Sequence, residues 1–227
     1  MKKICLALLV CLAGAAHAET AAQKPAGARI TLAARAAEDV GNDVMRATLF
    51  AEMDDADAGR LAARINQAVN DALEAAKAYP QLRARSTGYS TYPVTDKERI
   101  TGWRSRSEIA IEGEDFRAMG EAIGRLQGTL QLGGVAFSVS PARRAQVEDR
   151  LTQAAIADFL RKAAAATRAF RGSRYNVVEA AISADGDMPP PRPVMMRSMA
   201  AADAAPAFEA GTSRVAVTVN GVILIPR

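Results

Sequence analysis

Two serines near the middle of the chain, Ser138 and Ser140 in the string "FSVSPARR", are candidate nucleophiles. A serine nucleophile commonly needs a histidine base. The only histidine of the chain, His17, lies in an N-terminal segment that we expect to be removed. Ser140 precedes Pro141, and a serine cap followed by proline at the first helical position is typical of a helix start. The sequence therefore predicts a structural helix cap at Ser140 and Pro141, with no catalytic residue.

A second candidate is a metal site made of methionines between residues 185 and 210: Met188, Met195, Met196 and Met199. Thioether sulfur is a soft ligand that selects Cu(I), and exposed methionine can also take up oxidant as a reversible sulfoxide. The methionines are irregularly spaced among prolines and alanines, which is more typical of an extended loop that packs on a partner. We therefore expect no metal and no cofactor, and keep Cu(I) binding or oxidant buffering as the alternative.

A third candidate is a group of basic and aromatic residues that could bind an anionic polymer or a lipid headgroup. Its members are Arg83, Arg85, Tyr89, Tyr92, Arg99, Trp103, Arg104 and Arg106. They alternate along two segments, which is typical of a β-hairpin with one solvated face and one aromatic cross-strand cluster. This structural interpretation is the favoured one.

Three aspartates could suggest a calcium loop: Asp54, Asp55 and Asp57. An EF-hand loop needs glycine at its sixth position and glutamate at its twelfth. Counted from Asp55, those positions hold Arg60 and Asn66. The positive end of a helix dipole explains acidic residues before a helical pattern equally well, and Asp185-Gly186-Asp187 is most simply a turn. Neither cluster predicts a metal site.

The N-terminus has the pattern of a cleavable signal peptide. Lys2 and Lys3 precede a short apolar run, Ile4–Ala16, and Ala16-His17-Ala18 matches an A-x-A cleavage site. The run is shorter than the roughly 20 apolar residues that a membrane span needs. We expect cleavage after Ala18, export to the periplasm and no membrane span.

Removal of residues 1–18 would limit the chemistry open to the protein. Both cysteines, Cys5 and Cys11, and His17 lie in that segment. The remaining chain would have no disulfide, no Cys/His metal site and no Ser-His-Asp triad. Its basic residues would fall from 29 to 27 against 25 acidic ones, which lowers the formal net charge from +4 to +2. So weak a basic balance argues against nucleic-acid binding.

Apolar periodicity predicts ten elements in the order β-β-α-β-β-α-β-α-β-β. This order lacks a regular βαβ repeat, so it predicts an α+β fold, mainly antiparallel sheet with packed helices. We expect the first two strands to form a hairpin around Gly41-Asn42, and Thr212–Ile225 to be a strand or a hairpin around Asn220-Gly221. Gly133-Gly134 is expected to bend its strand. The longest helix should begin near Pro141 and end before Gly172.

Several strings resemble the SIMPL-domain family of bacterial envelope proteins. They are "GYSTYPV" (Gly88 to Val94), "ITGWRSRSEIAIEG" (Ile100 to Gly113) and "GVAFSVSPARRAQVEDRLTQAAIADFLRKAAAAT" (Gly134 to Thr167). The resemblance covers most of residues 28–225, and the signal peptide and the proline- and methionine-rich stretch before a final strand fit it. The family typically has tyrosine where Trp103 stands and a glycine-rich turn at residues 169–175.

The resemblance implies a layout and a setting. The layout is a signal peptide over 1–18, a flexible segment over 19–27 and one SIMPL-like α+β domain over 28–227, with a Pro/Met-rich loop at 185–210. The setting is the periplasm, with a tendency to form homo-oligomers, association with the envelope and a loose link to envelope or oxidative stress. The family carries no established catalytic residue, so we expect a non-enzymatic protein that acts through self-association or interaction.

Overall fold

The structure is a computed structural model that describes residues 27–184 and 209–227. The predicted α+β class and the order of the elements are confirmed. The elements are β1 (Gly27–Gly41), β2 (Val44–Asp55), α1 (Ala58–Ala76), β3 (Arg83–Asp96), β4 (Arg99–Gly113), α2 (Phe116–Leu126), β5 (Gln131–Ser138), α3 (Pro141–Ala169), β6 (Asn176–Ala184) and β7 (Thr212–Pro226).

The strands form two antiparallel sheets, one covered by two helices and the other by one. The four-stranded sheet has the order β3-β4-β2-β5, and α1 and α2 pack on β2 and β4. The three-stranded sheet has the order β1-β7-β6, and α3 packs on β1 and β7. Each sheet buries one face against its helices, so the described residues form two separate hydrophobic cores. We call the two parts the four-stranded lobe and the three-stranded lobe.

The expected hairpin of the first two strands was wrong. β1 pairs along its whole length with β7, from Gly27 opposite Pro226 to Gly41 opposite Thr212. β2 lies between β4 and β5 in the other sheet. The two strands bury their side chains in different cores, because Val40 packs under α3 whereas Met45 packs under α1 and α2. Gly41-Asn42 does mark a change of direction, but it is the crossing between lobes.

The final segment is one continuous strand, so the strand alternative was correct and the hairpin at Asn220-Gly221 was wrong. Gly221 pairs with Leu32 of β1 on one side and with Ala180 of β6 on the other. A Cβ atom at Gly221 would lie 2.7 Å from the Phe159 ring of α3 and 2.7 Å from the carbonyl oxygen of Glu179. The glycine therefore serves close packing in the centre of the sheet.

Sequence signals for helix caps and strand bends agree with the structure where the groups involved are close in the sequence. Asp57 caps α1 by accepting the N–H of Arg60 at 2.7 Å, and Asp115 caps α2. The pairing of β2 with β5 shifts register opposite Gly133, as a bulge requires. These signals set the ends of the elements that position the sites described next.

Candidate functional site

Ser140 lies where β5 meets α3, at the N-cap of the helix, with Pro141 as the first helical residue. Its hydroxyl accepts only a long hydrogen bond from the N–H of Arg143, at 3.4 Å. The same hydroxyl donates to Oδ2 of Asp43 at 2.8 Å, and the backbone N–H of Ser140 donates to Oδ1 of Asp43 at 2.6 Å. Ser140 is buried, so its hydroxyl is a fixed donor to a carboxylate.

The electrostatics of Asp43 favour anchoring over proton transfer. Burial raises the pKa of the Asp43 carboxyl, but the hydrogen bonds from Ser140 and the charge of Arg143, with Nη1 at 3.9 Å, lower it further than burial raises it. The net result is a pKa below the ordinary value of aspartate. A carboxylate with a lowered pKa is a weak base, so Asp43 is poorly suited to activate Ser140 as a nucleophile.

Asn42 extends this contact to the start of β7. Its backbone N–H donates to the carbonyl of Gly211 at 3.1 Å and its side-chain amide donates to the carbonyl of Ala210 at 2.7 Å. Its side-chain oxygen accepts the hydroxyl of Ser213 at 2.6 Å. We call Asn42, Asp43 and Ser140 the interlobe joint, because they tie the two chain crossings between the lobes, β1 to β2 and β5 to α3, to each other and to the start of β7. Sequence analysis missed Asp43, since no spacing relates it to a serine 97 positions away.

The basic and aromatic group predicted between positions 83 and 106 is divided between two faces of the four-stranded sheet. Tyr89 pairs with the buried Ser107, on the face that carries α1, and Trp103 packs against the core on that same face. Arg104 and Arg106 alternate with those residues and lie on the opposite face. The eight residues therefore do not form one site.

Two arginines on the outer face, Arg104 and Arg106, are paired with carboxylates of β2 and β4. Arg104 forms two hydrogen bonds with the Asp54 carboxylate, at 2.7 and 2.8 Å, and these hydrogen bonds lower the pKa of Asp54. Arg106 lies 3.5 Å from the centre of the Phe50 ring. It also pairs with Glu108 at 2.9 Å. Among the described residues, the exposed Arg83, Arg85 and Arg99 have no ion pair.

The three early aspartates point to different partners. Asp54 binds Arg104, Asp55 accepts from the guanidinium of Arg60, which lowers the pKa of Asp55, and Asp57 caps α1. In residues 27–184 and 209–227, no three His, Cys, Asp or Glu side chains lie close enough together to hold a metal ion.

Several predicted residues lie outside the described ranges. They are the cleavage-site residues Ala16 and Ala18, residues 19–26, Asp185 to Asp187, and Met188, Met195, Met196 and Met199. The signal peptide and the copper alternative therefore stay predictions. Of the three helices in the described part of the chain, none is long and apolar enough to cross a membrane.

A shallow cleft of about 500 Å³ lies between α1 and β3. It is lined by Asn66, Val69, Asn70, Ser86, Thr87, Gly88, Tyr89 and Ser107. These are neutral side chains, and the lining contains no carboxylate, lysine or arginine that could act as an acid, a base or a charged ligand group.

The more distinctive surface is an apolar strip along β6. Among the described residues this strand is an edge strand, paired only with β7, and all nine of its residues are exposed. Val177 and Ile182 pair with Ile223 and Val219, which are buried under α3. Val177 and Ile182 therefore lie on the helix-bearing face, yet they are 45 % and 53 % exposed, because α3 covers β1 and β7 and stops short of β6.

Leu160 completes this strip from the side of the helix. On one flank of α3, Lys162 donates to the carbonyl of Ala33 in β1, so the opposite flank faces β6. Leu160 lies on that flank, with its carbonyl 3.5 Å from the hydroxyl of Tyr175, the residue before β6. It is 43 % exposed. We call Leu160, Val177 and Ile182 the β6 strip; sequence analysis missed it because alternation cannot tell how far a helix reaches across a sheet.

Residues 30–223 match the sequence profile of a family described as SIMPL, protein of unknown function (DUF541). The chain belongs to the SIMPL family. The match begins in β1 and ends in β7, so it spans both lobes, including the pairing of the first strand with the last. The resemblance drawn from the sequence strings is confirmed.

The other comparisons add no functional argument for this SIMPL protein. One similar solved structure is described as the crystal structure of AtUAH in complex with glyoxylate. It has a TM-score of 0.29 and 16 % identity, over 51 % of this chain and 34 % of that one. The SIMPL chain thus spans about a third of the length of that solved chain. A similarity this low says nothing about the function of the SIMPL chain. No protein with a curated description matches the chain.

Proposed function

We propose that this SIMPL protein is a non-enzymatic, exported protein that acts by self-association, with the β6 strip as the contact surface. The observation that carries the proposal is an apolar edge strand beside a flank of α3 that no other described element covers. An edge strand presents a row of unpaired backbone N–H and C=O groups, and natural proteins usually protect such edges with lysine, proline or cover. β6 contains no lysine and no proline, and Glu179 is its only charged residue.

The geometry favours a symmetric contact between two copies. The register of β6 with β7 shifts at Val178, so the regular part of the edge runs over Glu179–Ala184. Two such edges can pair antiparallel about a two-fold axis, which would join two three-stranded sheets into one six-stranded sheet. This pairing would satisfy the open backbone groups and bring the two copies of Ile182 close together on the helix-bearing face.

A charged substitution in the strip tests this contact. We expect Ile182→Lys to weaken self-association at least tenfold, because the new ammonium group would have to leave water when the two edges pair. The mass of the protein in solution, measured by light scattering after gel filtration at micromolar concentration, should fall towards the monomer. Ile100→Lys is the matched control, because Ile100 is similarly exposed, at 58 %, but lies on β4 of the other lobe.

Two results would contradict the proposal. One is a wild-type protein that remains strictly monomeric across the concentration series. The other is an Ile182→Lys variant that has the same mass in solution as the wild type and the Ile100→Lys control. Circular dichroism and the melting temperature of each variant show whether a change of mass comes from unfolding instead.

The alternative suggested by the sequence, Cu(I) binding or oxidant buffering by four methionines, has a separate test. The variant carries Met188→Leu, Met195→Leu, Met196→Leu and Met199→Leu. We expect it and the wild type to bind Cu(I) equally weakly in competition with a colorimetric chelator, because the methionines follow no regular ligand spacing. Tight wild-type binding that the variant loses would favour the copper function instead. The link to envelope or oxidative stress stays a prediction of the family resemblance.

A further inference from the structure

The end of α3 carries an unusual combination of side chains. The helix ends at Ala169 and Phe170 is its C-cap. Phe170 is 63 % exposed, which makes it the most exposed of the large hydrophobic side chains in the described part of the chain. Buried apolar surface is the main favourable term in folding, and the fold leaves this ring in water.

Basic residues flank Phe170 along the chain. Arg168, Arg171 and Arg174 are all exposed, and within the described residues none of them forms an ion pair. The chain from residue 159 to residue 178 contains five basic residues and no acidic one. This segment therefore differs from the outer face of the four-stranded sheet, where carboxylates neutralise Arg104 and Arg106.

Helix termination does not explain these arginines. Arg168 in the last turn is favourable for the helix dipole, but Arg171 and Arg174 lie beyond the helix. Arg171 adopts a left-handed conformation, with φ at 58°, where glycine is the residue without steric cost. Glycine was the expected residue at the end of this helix, yet Gly172 follows Arg171 by one position and packs against Ile225. An arginine thus stands at a position where the backbone conformation favours glycine.

We propose that residues 168–174 form a docking surface for an anionic lipid bilayer. Arginines near a bilayer are attracted to anionic headgroups, and an aromatic ring among them can enter the apolar boundary below the headgroups. A soluble polyanion would satisfy the arginines but would offer the Phe170 ring no apolar surroundings. The proposal does not depend on self-association, although an assembled protein would bind more tightly through several copies of the surface.

Vesicle binding of the full chain tests the proposal. The probes are vesicles of phosphatidylcholine alone and vesicles of phosphatidylcholine mixed with phosphatidylglycerol, separated from free protein by flotation. We expect binding to the mixed vesicles, little binding to the neutral ones, and weaker binding at higher salt. Replacing all three residues by Arg168→Gln, Arg171→Gln and Arg174→Gln should lower the partition coefficient about a hundredfold, or about fivefold for each arginine. Phe170→Ser should lower it about tenfold.

The matched control removes the same charge from the other lobe, through Arg83→Gln, Arg85→Gln and Arg99→Gln. It should keep binding close to that of the wild type. All variants share the same N-terminus, so any contribution from residues 1–18 cancels in the comparison. Three results would overturn the proposal: no preference for phosphatidylglycerol, full binding by Phe170→Ser, or an equal loss in the control. Full binding by Phe170→Ser would instead indicate a site for soluble polyanions, and an equal loss in the control would indicate attraction by net charge alone.

Discussion

Replacing Gly221 with alanine is expected to lower the free energy of unfolding by about 2–3 kcal/mol, although the change adds a single methyl group. Gly221 lies in β7, the central strand of the three-stranded sheet. The added carbon would approach the Phe159 ring and the carbonyl oxygen of Glu179, each to 2.7 Å. The ring can turn, but the carbonyl belongs to the backbone of β6 and can retreat only if the strand pairing is disturbed.

Urea unfolding of Gly221→Ala measures this cost. Phe159→Leu in the same background should recover part of it, because a smaller side chain relieves the contact with the ring and leaves the contact with the oxygen. Gly134→Ala is the matched control, since a carbon added there meets nothing within 4 Å. A Gly221→Ala protein as stable as the Gly134→Ala protein would show that the sheet absorbs the methyl group and that the close packing described here is unimportant.

Gly221 also shows where local sequence signals fail. Asn-Gly is a strong short-range signal for a two-residue turn, and read locally it allows a hairpin at Asn220-Gly221. The groups that require glycine are the Phe159 ring, 62 positions earlier, and the Glu179 carbonyl, 42 positions earlier in the chain. Caps at Asp57 and Ser140 could be predicted because the groups that they satisfy lie within three residues. Strand pairing is different, because nothing within β1 specifies β7 as its partner.

The same distinction applies to the candidate sites. The alternation of residues 83–106 predicted two strands, and alternation also explains why Tyr89 and Trp103 lie on one face while Tyr92, Arg104 and Arg106 lie on the other. The exposure of β6 could not be predicted, because it depends on α3 covering two strands and leaving the third uncovered. Asp43 could not be predicted either, because its partner Ser140 reaches it only through the folding of both lobes.

Replacing Asp43 with alanine is expected to lower the free energy of unfolding by about 3 kcal/mol. The change leaves the N–H and the hydroxyl of Ser140 without their acceptor, and hydrogen bonds to charged groups contribute about 1.5–3 kcal/mol each. Ser140→Ala should cost less, about 1 kcal/mol, because the Ser140 N–H still binds Asp43. Asp39→Ala, on an exposed carboxylate 3.8 Å from Arg214, is the control and should change stability little. Thermal or urea unfolding of the four proteins measures these differences.

The pH dependence of the unfolding free energy distinguishes the contribution of the Asp43 charge from that of the shape of its side chain. Its pKa in the folded protein is lower than in the unfolded chain, so its contribution to stability is present above the unfolded pKa of about 4. That contribution is lost as the pH falls through the folded pKa. Asp54, Asp55 and Asp158 also have pKa values lowered by hydrogen bonds from arginine or lysine partners. These three aspartates are present both in the wild type and in an Asp43→Asn variant, so their effect on stability cancels when the two proteins are compared.

The difference in unfolding free energy between wild type and Asp43→Asn should therefore be constant near neutral pH and shrink below about pH 4. Asparagine keeps the size of the side chain, but an amide nitrogen replaces one of the two oxygens that accept from Ser140, so in this geometry one of the two donors loses its acceptor. A difference that stays constant in acid would mean that the interlobe joint depends on the shape of this side chain and not on its charge. A shrinking difference would identify the ionised carboxylate as the group that holds β5, α3 and the crossing between the two sheets together.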